Sequence, residues 1–465
     1  MTRIHLIGIG GTGLSAIARV LLEMGHTVSG SDRAESPFTR DLQSAGVTIH
    51  IGHDPKNITG VDLVVRSSAI PDDNPEVIAA RAARIPVLKR ADFLGSLMEG
   101  KTGVTIAGTH GKTTTTAMIA WLLSELNQDP TFIIGGVPAN LGVNARAGKG
   151  KTFIVEADEY DRMFLGLKPT IAVVTNIEHD HPDCYPSLAD LQTAFMEFIH
   201  LLPPDGTLIA CAEDSGAYAL LAKAKKLGKS VLAYGLKPTA SDGREMETYT
   251  NSLSVNGKGG FTFDACVLGK TVTVELQVPG KHNILNALAA LTVTQLLGLP
   301  LTEAAQALGR FTGTRRRFEV RGEANGVIVI DDYAHHPTEI QATLAAARYR
   351  YPRSPLWVVW QPHTYSRTQM LLEDFANSFG NADEVIVTEV YPAREPKQDF
   401  SSEKVVEAMH RPAHFIAGLP EVSNYLITYL RPGDVLLVLS AGDADQISTD
   451  VLAHFAHKVL REGGS

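Results

Sequence analysis

The sequence predicts an α/β protein of three domains, and three observations carry that prediction. At 465 residues the chain exceeds what one hydrophobic core organises, since ordinary domains hold roughly 100–200 residues. Short apolar strands alternate with helix-spaced apolar stretches along its length. Two glycine-rich turns, at Gly8 and Gly108, each follow a strand and open a helix.

Composition narrows the function classes. Hydrophobic residues make up 44% and charged residues 20%, with a formal net charge of −9, which argues for a globular protein and against stable binding to nucleic acid. Cys184, Cys211 and Cys266 stand far apart without a CxxC pair, so neither a zinc ribbon nor a disulfide framework is expected, and a reducing cytoplasm fits. Residues 1–13 read as a glycine-ended strand rather than a leader peptide. No apolar run reaches about 18 residues, so no membrane insertion is expected.

In the first domain, expected over 1–98, RIHLIG, LSAIARVLLEMG and HTVSGSD form a βαβ unit, continued by VDLVVRSSAI and PEVIAARAARI. Gly8, Gly10 and Gly13 spell G-x-G-x-x-G between strand and helix, with Asp32 downstream. Small residues let the backbone approach a pyrophosphate, to which the helix start offers N–H groups and partial positive charge. A nicotinamide dinucleotide and a UDP-sugar share that pyrophosphate, so this Rossmann-like motif leaves both open, with Asp32 as a ribose ligand or a solvated acid.

In the central domain, expected over 99–313, TGVTIAG, TFIVEADEYD and TIAVVTNIEHDH are strands ending in polar residues, where parallel sheets place their ligands. Gly108, Gly111, Lys112 and Thr113 spell GTHGKT before a helix, the setting of a phosphate loop in an ATPase-type domain. Its spacing is shorter than the usual one, which would need glycine where Ile106 stands. Backbone amides, the Lys112 ammonium and the Thr113 hydroxyl on Mg²⁺ still converge on β- and γ-phosphates. Glu156 is a candidate Mg²⁺ ligand, whereas Asp158, Glu159 and Asp161 read as solvated neighbours. Asn176, His179, Asp180 and His181 follow the next strand, and their mix leaves a transition metal or Mg²⁺ open. Residues 230–280 look like a small antiparallel appendage. His282, Asn283 and Asn286 begin a helix, where Asn283 serves as an N-cap or reads an adenine edge.

The third domain, expected over 314–465, is a second Rossmann-like α/β unit. Arg315, Arg316 and Arg317 precede it, and an arginine there can close onto ATP phosphates. The strand VIVIDDY carries Asp331, Asp332 and Tyr333 at its end, with His335 and His336 beyond. His363 and Arg367 follow LWVVWQ, and a guanidinium can grip an amino acid's carboxylate through two bonds. Tyr391, Arg394 and SAGD at 440–443 end later strands.

GIGGTG, GTHGKTTTT, EADEYD, NIEHDH, GKHNILNAL, RRRF, DDYAHHPTEI, QPHTYSR and VYPARE, in this order over nearly the whole chain, resemble the Mur ligase family. The resemblance implies UDP-N-acetylmuramate on the first domain, ATP on the second and L-alanine on the third, joined through an acyl phosphate and a tetrahedral intermediate. It implies Gly8, Gly10, Gly11, Thr12, Gly13, Ser15, Asp32, Ser67 and Ser68 for the UDP-sugar. It implies Gly108, Thr109, His110, Gly111, Lys112, Thr113, Thr114, Asn283, Arg317 and Asp332 for ATP. Thr113, Glu156 and His181 would hold Mg²⁺, Tyr333, His335, His363 and Arg367 the amino acid, and Lys112, His181, Arg317 and His335 the catalytic roles. Thr364 stands where the family often has arginine, leaving more to Arg367. Tyr160 replaces the serine of EADESD and raises a murein tripeptide ligase as the alternative. Neither motif nor composition distinguishes a monomer from a homodimer.

Overall fold

The computed structural model describes residues 1–240, 243–393 and 395–462, so Arg394 lies outside the described residues. The chain folds as a three-domain α/β protein on three sheets. The first is wholly parallel, in the order Thr48–Ile51, Thr27–Asp32, Arg3–Ile7, Leu63–Arg66, Val87–Lys89. Chain direction across the sheet reverses between Arg3–Ile7 and Leu63–Arg66, and the glycine turn leaves at that switch point, where such sheets bind ligands. Ile4, Leu6 and Ile7 are all buried because helices cover both faces, which explains why RIHLIG shows no alternation.

The second sheet has ten strands. Ile171–Val174, Thr102–Ala107 and Thr152–Glu156 are parallel neighbours, with Val174 opposite Ala107 and Ile106 opposite Glu156. That register brings three polar strand ends, from distant parts of the chain, to one edge. The strands Thr248–Val255, Phe261–Val267 and Lys270–Leu276 form the expected antiparallel meander, joined to the parallel part by Tyr234 opposite Thr248. Helices Lys112–Glu125 and Lys281–Leu296 pack together over this sheet. Both are buried on most of their faces, and their central turns are correspondingly apolar.

The third sheet runs Glu319–Ala324, Val327–Asp332, Val435–Ser440, Leu356–Gln361, Glu384–Val387, His414–Phe415, with an antiparallel first pair and parallel pairs after it. Every residue of Val435–Ser440 is buried. The segment from Tyr365 to Ala376 forms two short helices, Tyr365–Met370 and Leu372–Ala376. Leu371 leaves the helical region (φ −108°, ψ 24°), and the second piece sets Phe375 against Trp360 with ring centroids 4.5 Å apart. Among the described residues no helix is long and apolar enough to cross a membrane.

Candidate active site

The phosphate loop is pinned from below. Gly108 (φ +131°) and Gly111 (φ +80°) adopt backbone conformations that L side chains rarely take. A Cβ at Gly108 would sit 2.1 Å from Thr175 Oγ1, and one at Gly111 2.9 Å from Asn286 Oδ1. The His110 amide donates to Asn176 Oδ1 (2.8 Å), tying the loop to the neighbouring strand end. Helix Lys112–Glu125 starts at Gly111, so its free N–H groups serve the loop.

Lys112 is anchored beneath: its ammonium lies 2.9 Å from Glu159 and donates to the carbonyl of Thr109 (3.0 Å). Burial alone would lower its pKa, but Glu159, Asp158 and Glu156 outweigh that and raise it, so the charge is retained. Thr113 Oγ1 donates to Glu156 (2.9 Å), whose other oxygen accepts from the Gly135 amide (2.7 Å). Burial raises the Glu156 pKa despite Lys112. The expectation of a solvated Glu159 fails, for its side chain is 1% exposed between Lys112 and His181 (Nε2, 3.7 Å). The loop there turns through left-handed Asp161 and Arg162, which keeps Asp161 in solvent and sends Glu159 inward. Asp158 is half-buried, 3.6 Å from Arg90.

A cavity of about 660 Å³ opens beside the loop, lined among others by His110, Gly111, Thr114, Asn283, Arg317 and Asp332. Asn283 is not the N-cap: Gly280 is, with φ +95°, and Asn283 sits in the first helical turn. Its amide is already committed, donating to Pro279 O (2.6 Å) and accepting from Asn286 (3.0 Å). Arg317 lies over the Tyr333 ring (4.9 Å) and 3.7 Å from Glu339, and Arg316 also lies over that ring (5.3 Å) while donating to the carbonyls of Ser440 and Gly442. Burial raises the Asp332 carboxyl to about 6, and it accepts from the amides of Phe318 (2.7 Å) and Ala334 (2.8 Å). Burial lowers the His282 imidazole to about 4, leaving it neutral.

A smaller cavity of about 250 Å³ joins the first sheet to the second, bringing Thr12 and Gly13 together with Arg90, Glu156, Asp158 and Tyr333. Asp32 turns into its own loop and accepts from the Gly10 amide (2.8 Å). The buried Ser15 donates back to Thr12 O (3.0 Å), and Ser67 lies at the end of Leu63–Arg66 with the exposed Ser68 beyond.

On the far side, His335 Nδ1 is 2.9 Å from Tyr333 O, and its ring stands edge-on to His363 at 5.8 Å. Burial lowers His335 to about 4. Arg367, expected to offer its fork to an amino acid, instead donates from Nε to Asp180 (2.8 Å) and from Nη1 to His363 Nδ1 (3.1 Å). The pair with Asp180 is buried on both sides, because an unpaired guanidinium there would be costly. Thr364 is buried with φ +69°, as the residue before helix Tyr365–Met370. Tyr160 donates to Asp183 (3.0 Å) and stands edge-on to His181 at 5.0 Å.

Three residues escaped sequence reading: Arg90, Glu178 and Glu339. Glu339 touches His110, His335 and Arg317 at once. A signal existed, since Pro337 marks a helix start and places Glu339 in its first turn, two residues further on.

A phosphate loop backed by buried carboxylates, set between two further α/β sheets, defines a nucleotide-using enzyme. Family models described as the Mur ligase family catalytic domain, middle domain and glutamate ligase domain match residues 3–102, 106–294 and 316–442. The chain belongs to the Mur ligase family. It is 43% identical to a UDP-N-acetylmuramate–L-alanine ligase of Geobacter sp. (strain M21), covering 97% of each chain. It is 44% identical to the enzyme of that name from Salinibacter ruber, over 95% of this chain and 92% of the relative. A solved UDP-N-acetylmuramate–alanine ligase from Thermotoga maritima superposes with a TM-score of 0.81 at 29% identity, over 98% of this chain and 100% of that one. A murein peptide ligase from Psychrobacter arcticus gives 0.72 at 26% identity, over 98% and 99%. The family leaves the nicotinamide alternative without support.

Proposed function

We propose that the chain joins L-alanine to the lactyl carboxylate of UDP-N-acetylmuramate at the expense of ATP, in the cytoplasm, as a step of peptidoglycan precursor synthesis. The observation that carries this is the bond between Thr113 and Glu156 beside the charged Lys112, with one cavity reaching from the phosphate loop to the third domain and a second, lined by Glu156, reaching to the first.

A carboxylate is a poor electrophile, so its oxygen must first leave as phosphate. Two anions then have to meet, and Lys112 and Arg317 screen their repulsion from opposite domains. In this reading the loop from Gly108 to Thr114 cradles the phosphates, with Asn283 and Asp332 toward the nucleoside. The turn from Gly8 to Ser15, with Asp32, Ser67 and Ser68, holds the UDP-sugar. Arg90, between that turn and Glu156, steers the lactyl carboxylate to the γ-phosphate.

The donor set suits Mg²⁺: the Thr113 hydroxyl and Glu156 carboxylate are hard oxygens lying together, and His181 Nδ1 is buried without a hydrogen-bond partner. Bound there, Mg²⁺ would neutralise charge on the transferring phosphoryl group. Glu159 holds Lys112 and His181 at their spacing. Tyr333, His335, His363 and Arg367 frame the amino acid, and the neutral His335 ring can accept a hydrogen bond from its ammonium group.

Phosphate release measured with each substrate omitted tests this. Release should require UDP-N-acetylmuramate and an amino acid together, with L-alanine ahead of glycine and L-serine. Release indifferent to the amino acid, or a free tripeptide as the better acceptor, contradicts it.

A further inference from the structure

Where the phosphate loop meets the third domain, three side chains from three elements converge outside the magnesium donor set. His110 comes from the loop, Glu178 from the segment after strand Ile171–Val174, and His336 from the N-cap of helix Pro337–Arg350. His110 Nε2 lies 2.9 Å from Glu178 Oε2, and His336 Nδ1 lies 3.6 Å from that oxygen. Their donor atoms all fall within 4.8 Å of one another, and the two imidazole rings are 4.7 Å apart. Ligands on a tetrahedral ion with bonds near 2.0–2.1 Å stand about 3.3 Å apart, so small rotamer shifts suffice.

The surroundings suit a metal ion taken up in exchange for the proton that His110 otherwise holds between two carboxylates. His110 Nδ1, on the far side of its ring, is 3.2 Å from Glu339, which is how a carboxylate fixes the tautomer of a ligating histidine. Thr338 Oγ1 donates to Glu178 (2.8 Å) and so orients that carboxylate as well. His110, Glu178, His336 and Glu339 are all partly or wholly buried.

We propose that His110, Glu178 and His336 form a site for a late divalent transition-metal ion of the zinc class, whose binding staples the central domain to the C-terminal domain. Two imidazoles and one carboxylate suit zinc or cobalt, whereas magnesium prefers an all-oxygen shell. Because Glu178 and His110 belong to one domain and His336 to the other, the ion binds only when the two are together. Zinc therefore acts as a brake on any step that requires them to separate.

The test is a titration of the full chain with Co²⁺ in excess Mg²⁺, read by visible absorption. The site predicts one ion per chain with the intense d–d bands of four or five coordination, discharged by Zn²⁺. His336→Asn keeps an N-cap side chain and should abolish the bands, as should Glu178→Gln. Glu339→Gln should weaken binding by about 10-fold or more. His181→Asn should leave the bands intact, and Zn²⁺ should slow ligation in the unaltered chain at concentrations about 10-fold below those needed with His336→Asn. Weak octahedral bands, bands that survive His336→Asn, or bands lost with His181→Asn would overturn the proposal.

Discussion

Lys112 shows how one side chain is prepared for work. It is buried, yet three carboxylates keep it charged, and Glu159 holds it where the loop carbonyls leave one face toward the phosphates. Lys112→Ala should lower kcat by about 10²–10³-fold, measured as acyl-phosphate formation in single turnover. Ample ligation by that variant would remove its role. Arg367 is a second such case, since its guanidinium and Asp180 are buried against each other across two domains. Arg367→Ala strands a buried carboxylate, which costs about 3–5 kcal/mol, and should lower the thermal midpoint together with kcat/KM for L-alanine. A loss confined to stability would mean that Arg367 only fastens the domains.

Elements explain why these side chains stand where they do. The segment Tyr160–Gly166 carries the chain away from Glu156 and Glu159, and Phe164 anchors it by stacking on Phe198 at 4.9 Å and meeting Phe195 edge-on at 5.3 Å. Phe164→Ala should cost about 3–5 kcal/mol in urea unfolding and weaken catalysis through Glu159. Unchanged stability would show that the helix Leu188–His200 does not hold the acidic loop. Such packing was only partly legible in the sequence. Strand ends such as EADEYD and NIEHDH announced themselves because apolar runs stop at polar residues, and parallel sheets gather those ends. Glu159 was not legible, because its inward turn depends on positive φ at Asp161 and Arg162, which are neither Gly nor Asn. Nor was the partnership of Arg367 with Asp180, a contact made across 187 residues of sequence. Of the two readings of Asn283, the cap falls because Gly280, three residues earlier, starts Lys281–Leu296, and helix propensity says nothing of that glycine.

At the scale of the whole molecule, His110 fastens the centre to the third domain by lying between Glu178 and Glu339. Burial alone would lower its pKa, but the hydrogen bonds it donates to those two carboxylates outweigh burial and raise it to about 9. A raised pKa means that the clasp contributes fully below about 6.5, the ordinary histidine value, and is lost as pH rises through about 9. Scattering measurements from pH 6 to 10 should therefore show the radius of gyration growing over that window, and His110→Gln should remove the growth. A radius flat with pH would place the closing force elsewhere.

The most direct test of the central claim follows an oxygen atom. UDP-N-acetylmuramate labelled with ¹⁸O in its lactyl carboxylate is turned over with ATP and L-alanine, and the released phosphate is weighed by mass spectrometry. Activation through an acyl phosphate predicts one labelled oxygen in phosphate for each amide formed. Phosphate free of label, with amide accumulating beside it, would contradict the account.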